Sequence, residues 1–546
     1  MNLTAVGNEN IILNGNPRKT FFKATYNKHT NFGMQKFRID FEGNRLLNYN
    51  TPTILDFKVP RYADMLYETF ICINLPDIYS PIKYLDTPID GNSLLPYEFK
   101  WIKNLGSFMI REIEIHSGGV SLSRYTGEYL SCLKERDFTR EKKDLWDKMT
   151  GNVKDLHSPD MTNGRVNIYP SSQYIDDTGV EPSIRGRKLY IPMDAFFCDS
   201  SKLALPLVAL QYQEISIRIT FEPVKNLYTI NNVSDVLYSS GKSYRSAPNP
   251  NIVDHQLWRF TQPPADFKAS IELYNQTKND WNSDVHLVST YIFLDKEEQR
   301  VMTQNSHNIL MKQIYTHTFL DIAGSKIIDV ESKDLVANYM WRFRRSDAFQ
   351  RNEWDNYTNW AYKDIQPQGN QILNENILNQ AMIAANTTYI NPNNHFITGS
   401  LGSYSKNVKN ILIDFGIVME GVYRENVMDS GVFHFVEKYN KTAGNTKDGL
   451  YFYSFGTNGI RNEYQPSGAM NVNRFSKVSF EFNTIEPPLD PEGSLSEYIC
   501  DLSGNPIGFR KNVAKLNAYT YDLVIFEERY NVIMIQSGRV GLLHAR

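Results

Sequence analysis

Cysteine is scarce in this chain of 546 residues. Four occur, Cys72, Cys132, Cys198 and Cys500, with no CxxC pair and no short spacing. A secreted disulfide framework would be denser and a zinc site would pair its ligands closely, so these read as isolated reduced thiols. Long apolar runs are also missing: the longest, Leu203 to Leu210, is interrupted by Pro206. A membrane-spanning helix needs about 20 apolar residues, so no span is expected. The opening MNLTAVGNENIILNG has neither a basic n-region nor an apolar h-region. No signal peptide is therefore expected, and the chain reads as soluble and intracellular at synthesis. Net charge is nearly absent, 58 basic against 61 acidic residues. That excludes a surface built throughout to coat DNA. Glycine (31) and proline (24) are near average, which excludes collagen-like and low-complexity chains.

Catalytic signatures are missing too. The sequence contains no GxxxxGK[ST], no HExxH, no DxDxDG and no GxSxG. The ten histidines lack metal-ligand spacing. No cofactor and no metal are expected, and the chain reads as no enzyme.

What is abundant is aromatic: 33 Tyr and 30 Phe, together with many Asn. That mixture suits short strands joined by polar loops. Alternation with period two dominates. In Glu214–Glu222, Ile215, Ile217, Ile219 and Phe221 share one face against Ser216, Arg218 and Thr220. Arg111–His116 alternates likewise, as do Val478, Phe480 and Phe482. Val532–Ile535 is continuously apolar and reads as a strand covered on both faces. Helical signals are confined to Glu128–Met149, stopped by Gly151, and to Lys296–Ser306, slightly past the middle. Asn226–Asn251 and Gln366–Asn410 read as long loops. The class is all-β: two large sandwiches such as jelly rolls, about eight strands each, meeting near Lys296–Ser306.

Several clusters invite a functional reading. Glu112 and Glu114 share a strand face with His116, and a carboxylate pair can do glycosidase chemistry. A half-exposed strand produces the same pattern without function, and that plainer account outweighs the catalytic one. Arg342, Arg344, Arg345 and Arg351 interleave with Trp341, Phe343, Phe349 and Trp354. Basic and stacking residues together can bind single strands, but Asp347, Glu353 and Asp355 dilute the charge. An interface or loop-anchoring role is favoured. NxS/T sequons stand at Asn2, Asn232, Asn275, Asn356, Asn386 and Asn440. All but the first are candidate glycan attachment sites, and most such triplets arise by chance in an Asn-rich chain.

Six segments, in order, resemble the major capsid proteins of nucleocytoplasmic large DNA viruses. They are TFFKATYNKHTNF (Thr20–Phe32), IPMDAFFCDSSKLALPLVALQYQEISIRITF (Ile191–Phe221) and TYIFLDKEEQRVMTQNSHNILMKQ (Thr290–Gln313). MWRFRRSDAFQRNEWDNYTNW (Met340–Trp360), closest in look to mimivirus-like giant viruses, YSFGTNGIRNEYQPSGAMNVNRFSKVSFEF (Tyr453–Phe482) and the terminal ERYNVIMIQSGRVGLLHAR follow. Departures are small: Gln299 before Arg300, Asn473-Arg474-Phe475-Ser476 for an N-x-S-R order, and Leu543-His544 where an aromatic is common.

The resemblance implies a double jelly roll, two eight-stranded antiparallel sandwiches in one chain. It implies a homotrimer forming a pseudo-hexagonal capsomer that tiles an icosahedral shell. Implied partners are neighbouring capsomers and minor capsid and penton proteins. An internal membrane would be met through those minor proteins, and no direct nucleic-acid contact is implied. The expected location is the virion shell, assembled in the host cytoplasm. The expected domains are an arm, 1–19, a first roll, 20–295, a linker, 296–306, and a second roll, 307–546. Trp341, Arg344, Arg345, Trp354, Trp360, Tyr451 and Tyr453 are the expected interface-loop residues, at the trimer's outer surface or between towers. The competing reading is a jelly-roll virion surface protein outside the lattice, or a glycan-binding module.

Overall fold

Sixteen principal strands form two sandwiches with the same strand order. In this computed structural model the described residues are 7–544, except 90–91, 167, 176–178, 232–244, 264–273, 275, 280, 364–407, 462–464, 490–495, 501–505 and 512–516. The first sandwich contains β1 (Phe32–Asp40), β2 (Thr53–Lys58), β3 (Met65–Asn74), β4 (Ile110–Ser117), β5 (Val120–Tyr125), β6 (Lys188–Pro192), β7 (Ile215–Phe221) and β8 (His286–Leu294). One sheet runs β1-β8-β3-β6 and the other β2-β7-β4-β5. The second sandwich contains β9 (His307–Ile322), β10 (Ser325–Val330), β11 (Leu335–Arg345), β12 (Leu412–Met419), β13 (Val422–Asp429), β14 (Leu450–Ser454), β15 (Val478–Thr484) and β16 (Tyr521–Gln536). Its sheets run β9-β16-β11-β14 and β10-β15-β12-β13. First, eighth, third and sixth strands form one sheet in each, and second, seventh, fourth and fifth the other. This is a double jelly roll.

Local sequence accounts for the strands. In β7, Ile215, Ile217, Ile219 and Phe221 are buried in strict alternation. Its other face carries Arg218, opposite Glu114 of β4 and Asp56 of β2, and it bonds both, at 3.1 and 3.2 Å. The β4–β5 hairpin turns on Gly118 and Gly119, both at positive φ, which suits a two-residue turn between twisted strands.

Helices fill the gaps. The stretch expected as one helix is two, α1 (Gly127–Asp137) and α2 (Arg140–Thr150), broken at Phe138 and Thr139, both extended. Thr126 caps α1 by accepting from the Tyr129 amide, and Gly151 ends α2 in the left-handed conformation. A third helix, α3 (Lys296–Gln304), joins the rolls and starts behind Asp295 as N-cap. No helix among the described residues is long and apolar enough to cross a membrane. Most of Gln366–Asn410 and half of Asn226–Asn251, both expected as loops, lie outside the described residues; in the latter, Tyr228–Asn231 is a strand paired with Phe99–Trp101 rather than loop.

The second roll's β9-β16-β11-β14 sheet is buried on both faces along β11, β14 and most of β16. Tyr339, Trp341 and Phe343 of β11 point into that roll's own core. Met340 of β11, Leu450 and Phe452 of β14, and Val524 and Phe526 of β16 instead join the first roll's core. One hydrophobic cluster thus runs through both rolls, fixing them side by side. The expected double covering at Val532–Ile535 is misplaced: there Ile533 and Ile535 are buried while Met534 is 37% exposed. The stretch covered on both faces is Leu523–Asn531, where β16 lies between the two cores.

Candidate functional site

The seam between the rolls gathers buried charged residues, among them Arg136, Asp137, Arg342 and Glu528. Helix α1 of the first roll lies against the β9-β16-β11-β14 sheet of the second, with ten of its residues, Gly127 and Tyr129 through Asp137, buried. Tyr129 packs edge-on against Phe526 at 5.5 Å, and the Arg136 guanidinium sits 5.1 Å from the Phe452 ring centre.

Two ion clusters cross this contact. Glu128 at the start of α1 accepts a bidentate pair from Arg342 Nε and Nη2, at 2.6 and 2.7 Å, and a third bond from Arg344 at 3.1 Å. Arg342 also donates to the Asp522 carbonyl. Glu528 of β16, fully buried, accepts from Arg136 at 2.8 Å, from Tyr129 Oη at 2.7 Å and from Asn338 at 2.8 Å. Arg136 places its remaining donors on Asp137, whose Oδ2 also accepts the Arg461 backbone N–H. Planar arginine forks on carboxylates give each cluster a fixed geometry.

Burial alone would push both glutamates upward. The arginines win, Arg342 and Arg344 for Glu128 and Arg136 foremost for Glu528, and hold each carboxyl at about 2. A carboxylate whose pKa is lowered by folding adds stability above its unfolded value, near 4.5, and loses it as pH falls toward 2. The melting temperature should therefore be insensitive to these groups from pH 5 to 8. Below pH 4.5 it should fall steeply, as the free energy of unfolding drops by up to about 1.4 kcal/mol per pH unit per proton taken up. Calorimetric scans from pH 2 to 8 check this, and the slope should shrink in Glu528→Gln.

Backbone contacts complete the seam. Gly444 N–H donates to the Arg136 carbonyl, and a Cβ on Gly444 would meet the Glu135 and Arg136 carbonyl oxygens at 2.3 and 2.4 Å. Only glycine permits the rolls to approach this closely. Gln313 of β9 donates to the Leu122 carbonyl of β5, joining two sheet edges.

The expected interface residues divide. Trp341, Tyr451 and Tyr453 are on strands, not loops, and are core residues of the second roll, 0%, 2% and 5% exposed. Trp341 stacks on Phe415 at 4.2 Å. Arg344 crosses to Glu128 and lies over Trp354 at 5.3 Å, so its partner is in the other roll rather than among nearby acids. Arg345 does pair locally, with Asp347 at 2.7 Å. Trp354 donates to the Asn226 carbonyl of the first roll, and neighbouring Asn352 to those of Lys225 and Tyr228. Trp360 is half-buried and carries Lys409 at 5.3 Å. The segment after β11 is thus a clasp between the two rolls of one chain.

Of the expected glycan sites, Asn232, Asn275 and Asn386 lie outside the described residues. Asn356 is 4% exposed and donates to the Trp360 carbonyl, so its amide is committed to the fold and unavailable to a sugar. Asn440 is exposed.

Glu112 and Glu114 border a cavity of about 710 Å³ between β4, β5 and β9. Arg124 pairs with Glu112 and Arg218 with Glu114, so both carboxylates are neutralised across their own sheet. No cluster able to hold a metal occurs among the described residues. Glu128, Arg136 and Glu528, the centre of the seam, were not singled out by sequence. The residues of each pair are 214 and 392 positions apart, beyond any local motif.

Comparisons with known proteins fit this architecture. Capsid protein 1 of Acanthamoeba polyphaga mimivirus is 26% identical over 314 residues, covering 58% of this chain and 43% of that protein. The major capsid protein of Paramecium bursaria Chlorella virus 1 is 22% identical over 550 residues, covering 100% and 98%. The chain spans about half the length of the first curated relatives it matches. A chain of the PBCV-1 virus capsid shares the fold with a TM-score of 0.59 at 17% identity, over 96% of this chain and 100% of that one. The family model described as "Major capsid protein N-terminus" matches residues 20–295. The protein therefore belongs to the viral major capsid proteins, a family of structural proteins rather than enzymes.

Proposed function

We propose that the chain is the principal shell protein of a large DNA virus, that three copies close into a capsomer with six similar towers, and that these capsomers tile an icosahedral shell. The observation that carries this reading is the pair of rolls with identical strand order, locked side by side by a buried seam. A unit that repeats its own fold needs only a threefold ring to present six equivalent sides to its neighbours. The near-zero net charge supports it as well, because copies packed edge to edge would otherwise repel.

The proposed division is an arm, 1–19, a first roll, 20–295, a linker, 296–306, and a second roll, 307–546. Ile11 and Ile12, 70% and 81% exposed, support the arm's reaching toward neighbouring capsomers or minor capsid and penton proteins. Assembly in the host cytoplasm, with any internal membrane met through minor proteins, belongs to the same proposal. Light scattering coupled to gel filtration tests it. A mass three times that of the chain is expected in gentle buffers, and a monomer across a wide concentration range would overturn it.

A further inference from the structure

We propose that the first roll forms its own covalent cross-link, an amide between Lys134 Nζ and Asn104 Cγ, with Asp147 as the base and ammonia as the leaving group. All three residues belong to one roll, so the proposal stands apart from the assembly reading.

Three elements bring the reacting groups together. Lys134 is on α1 and Asp147 on α2, and Asn104 stands just ahead of a short helical turn, Leu105–Phe108, that packs on both helices. Lys134 Nζ donates to Asn104 Oδ1 at 2.6 Å and to Asp147 Oδ1 at 2.9 Å. The lysine side chain has no exposure and Asn104 is 3% exposed, so nucleophile and carboxamide meet away from water. Nucleophile, acyl group and base are thus in mutual contact, the arrangement that acyl transfer needs.

Asn104 is also held in place. Its N–H donates to Asn152 Oδ1 at 3.0 Å, and its carbonyl accepts from the Ser107 and Phe108 amides. Its φ of 52° is in the left-handed region, which asparagine tolerates better than most residues. Asn152 orients the base as well, since its Nδ2 donates to Asp147 Oδ1 at 3.0 Å. Glu135, the other carboxylate near Nζ, is 3.8 Å away and is taken by Lys143. Fixed contact of this kind can raise an effective concentration to about 10⁵ M or more.

The reaction closes without a further reagent. Asp147 takes a proton from the Lys134 ammonium, and the freed lone pair forms the bond to Asn104 Cγ while the carbonyl electrons move to Oδ1. Their return breaks the Cγ–Nδ2 bond. Two of the three ammonium protons pass by way of Asp147 to Nδ2, which departs as ammonium, and the third stays on the new amide. Asp147 ends as a carboxylate. The product replaces a buried positive charge, costly to keep from water, with a neutral amide whose N–H can still donate to Asp147. The Asp147 side chain is 20% exposed, which gives the departing ammonium a way out.

The bond would join positions 30 apart and tie α1 to the segment that enters β4. Since Glu128 and Arg136 already bind α1 to the second roll, the helix could then peel from neither roll.

Mass spectrometry of the denatured full chain tests this. The wild type should be lighter than its sequence by one ammonia, and a tryptic digest should contain a branched peptide joining Asn104 to Lys134, with cleavage after Lys134 blocked. Lys134→Met and Asp147→Asn should each have the full mass of their own sequences. A wild type of full mass overturns the proposal, whatever the variants do. So does a loss of ammonia without the branched peptide, which would be cyclisation of another asparagine. A cross-link that forms undiminished in Asp147→Asn overturns the part assigned to Asp147.

Discussion

Glu528→Ala is expected to destabilise the folded chain by about 3–5 kcal/mol, the usual cost of leaving one partner of a buried ion pair behind. The carboxylate has no exposure and accepts three bonds, from Arg136, Tyr129 and Asn338. Its removal strands a guanidinium Nη1, a phenol and an amide, all buried. Arg136 keeps Asp137, which limits the loss to the Nη1 side of its fork. The same change attacks the seam from the second roll, so the rolls should loosen together. Urea unfolding should show a lower midpoint with an unchanged m-value if the two rolls still unfold as one unit. An alanine variant within 1 kcal/mol of wild type would mean that the cluster is not buried as described. The triple change Glu528→Leu, Arg136→Met and Asp137→Asn should recover most of the loss, because it removes every charge of the cluster together and leaves no buried carboxylate without its guanidinium. Recovery would separate what the ion cluster adds to stability from what it adds to alignment. A trimer of the triple variant with altered cohesion between its rolls would indicate that alignment is its main contribution.

How far the fold could be read beforehand depended on what each strand faces. Strands with one wet face announced themselves: Ile215, Ile217, Ile219 and Phe221 alternate because water lies beyond Arg218. So did β15, with Phe480 and Phe482 inward. Strand β11 defeats the rule. Tyr339, Trp341 and Phe343 fill one core, while Met340, Arg342 and Arg344 fill the seam, so apolar and basic residues interleave without a polar face. That mixture looks like an exposed basic-aromatic loop. Its arginines are in fact consumed by Glu128, 214 positions from Arg342, which no spacing rule can reach. The six family-like segments succeeded for another reason. They run through inner strands of the sheets, β7, β11, β15 and β16, with the connections beside them, so the architecture was legible where the seam was not. The glutamates at Glu112 and Glu114 drew notice because alternation displays them, yet their arginines on neighbouring strands already neutralise them.

Trp341→Ala is expected to cost about 3–5 kcal/mol, as large aromatic truncations in close-packed cores do. The indole is fully buried and stacks on Phe415 at 4.2 Å, with Phe433, Tyr451 and Phe480 around it. These rings come from β11, β12, β14 and β15 and from the segment after β13, so one side chain ties both sheets of the second roll to its helical turn. Truncation opens a void between the sheets that rigid strands cannot close, and contacts with all four rings are lost at once. The loss should appear in the isolated monomer as a lower melting temperature and a weaker near-ultraviolet dichroism signal. It should not depend on protein concentration, because nothing of Trp341 reaches the surface. An interface residue would behave in the opposite way: its alanine variant would melt like wild type when dilute and fail only where wild type assembles. A concentration-dependent defect with an unchanged monomer would therefore remove Trp341 from the core. Helix Glu437–Lys441 and its neighbour Phe435 offer the useful contrast, since Phe433 faces Trp341 inside while Phe435, two residues on, is 56% exposed. Phe433→Ala should copy Trp341→Ala in direction, and Phe435→Ala should leave the monomer's stability within about 0.5 kcal/mol. The segment would then have two separable faces, one holding the second roll together and one left for a neighbour.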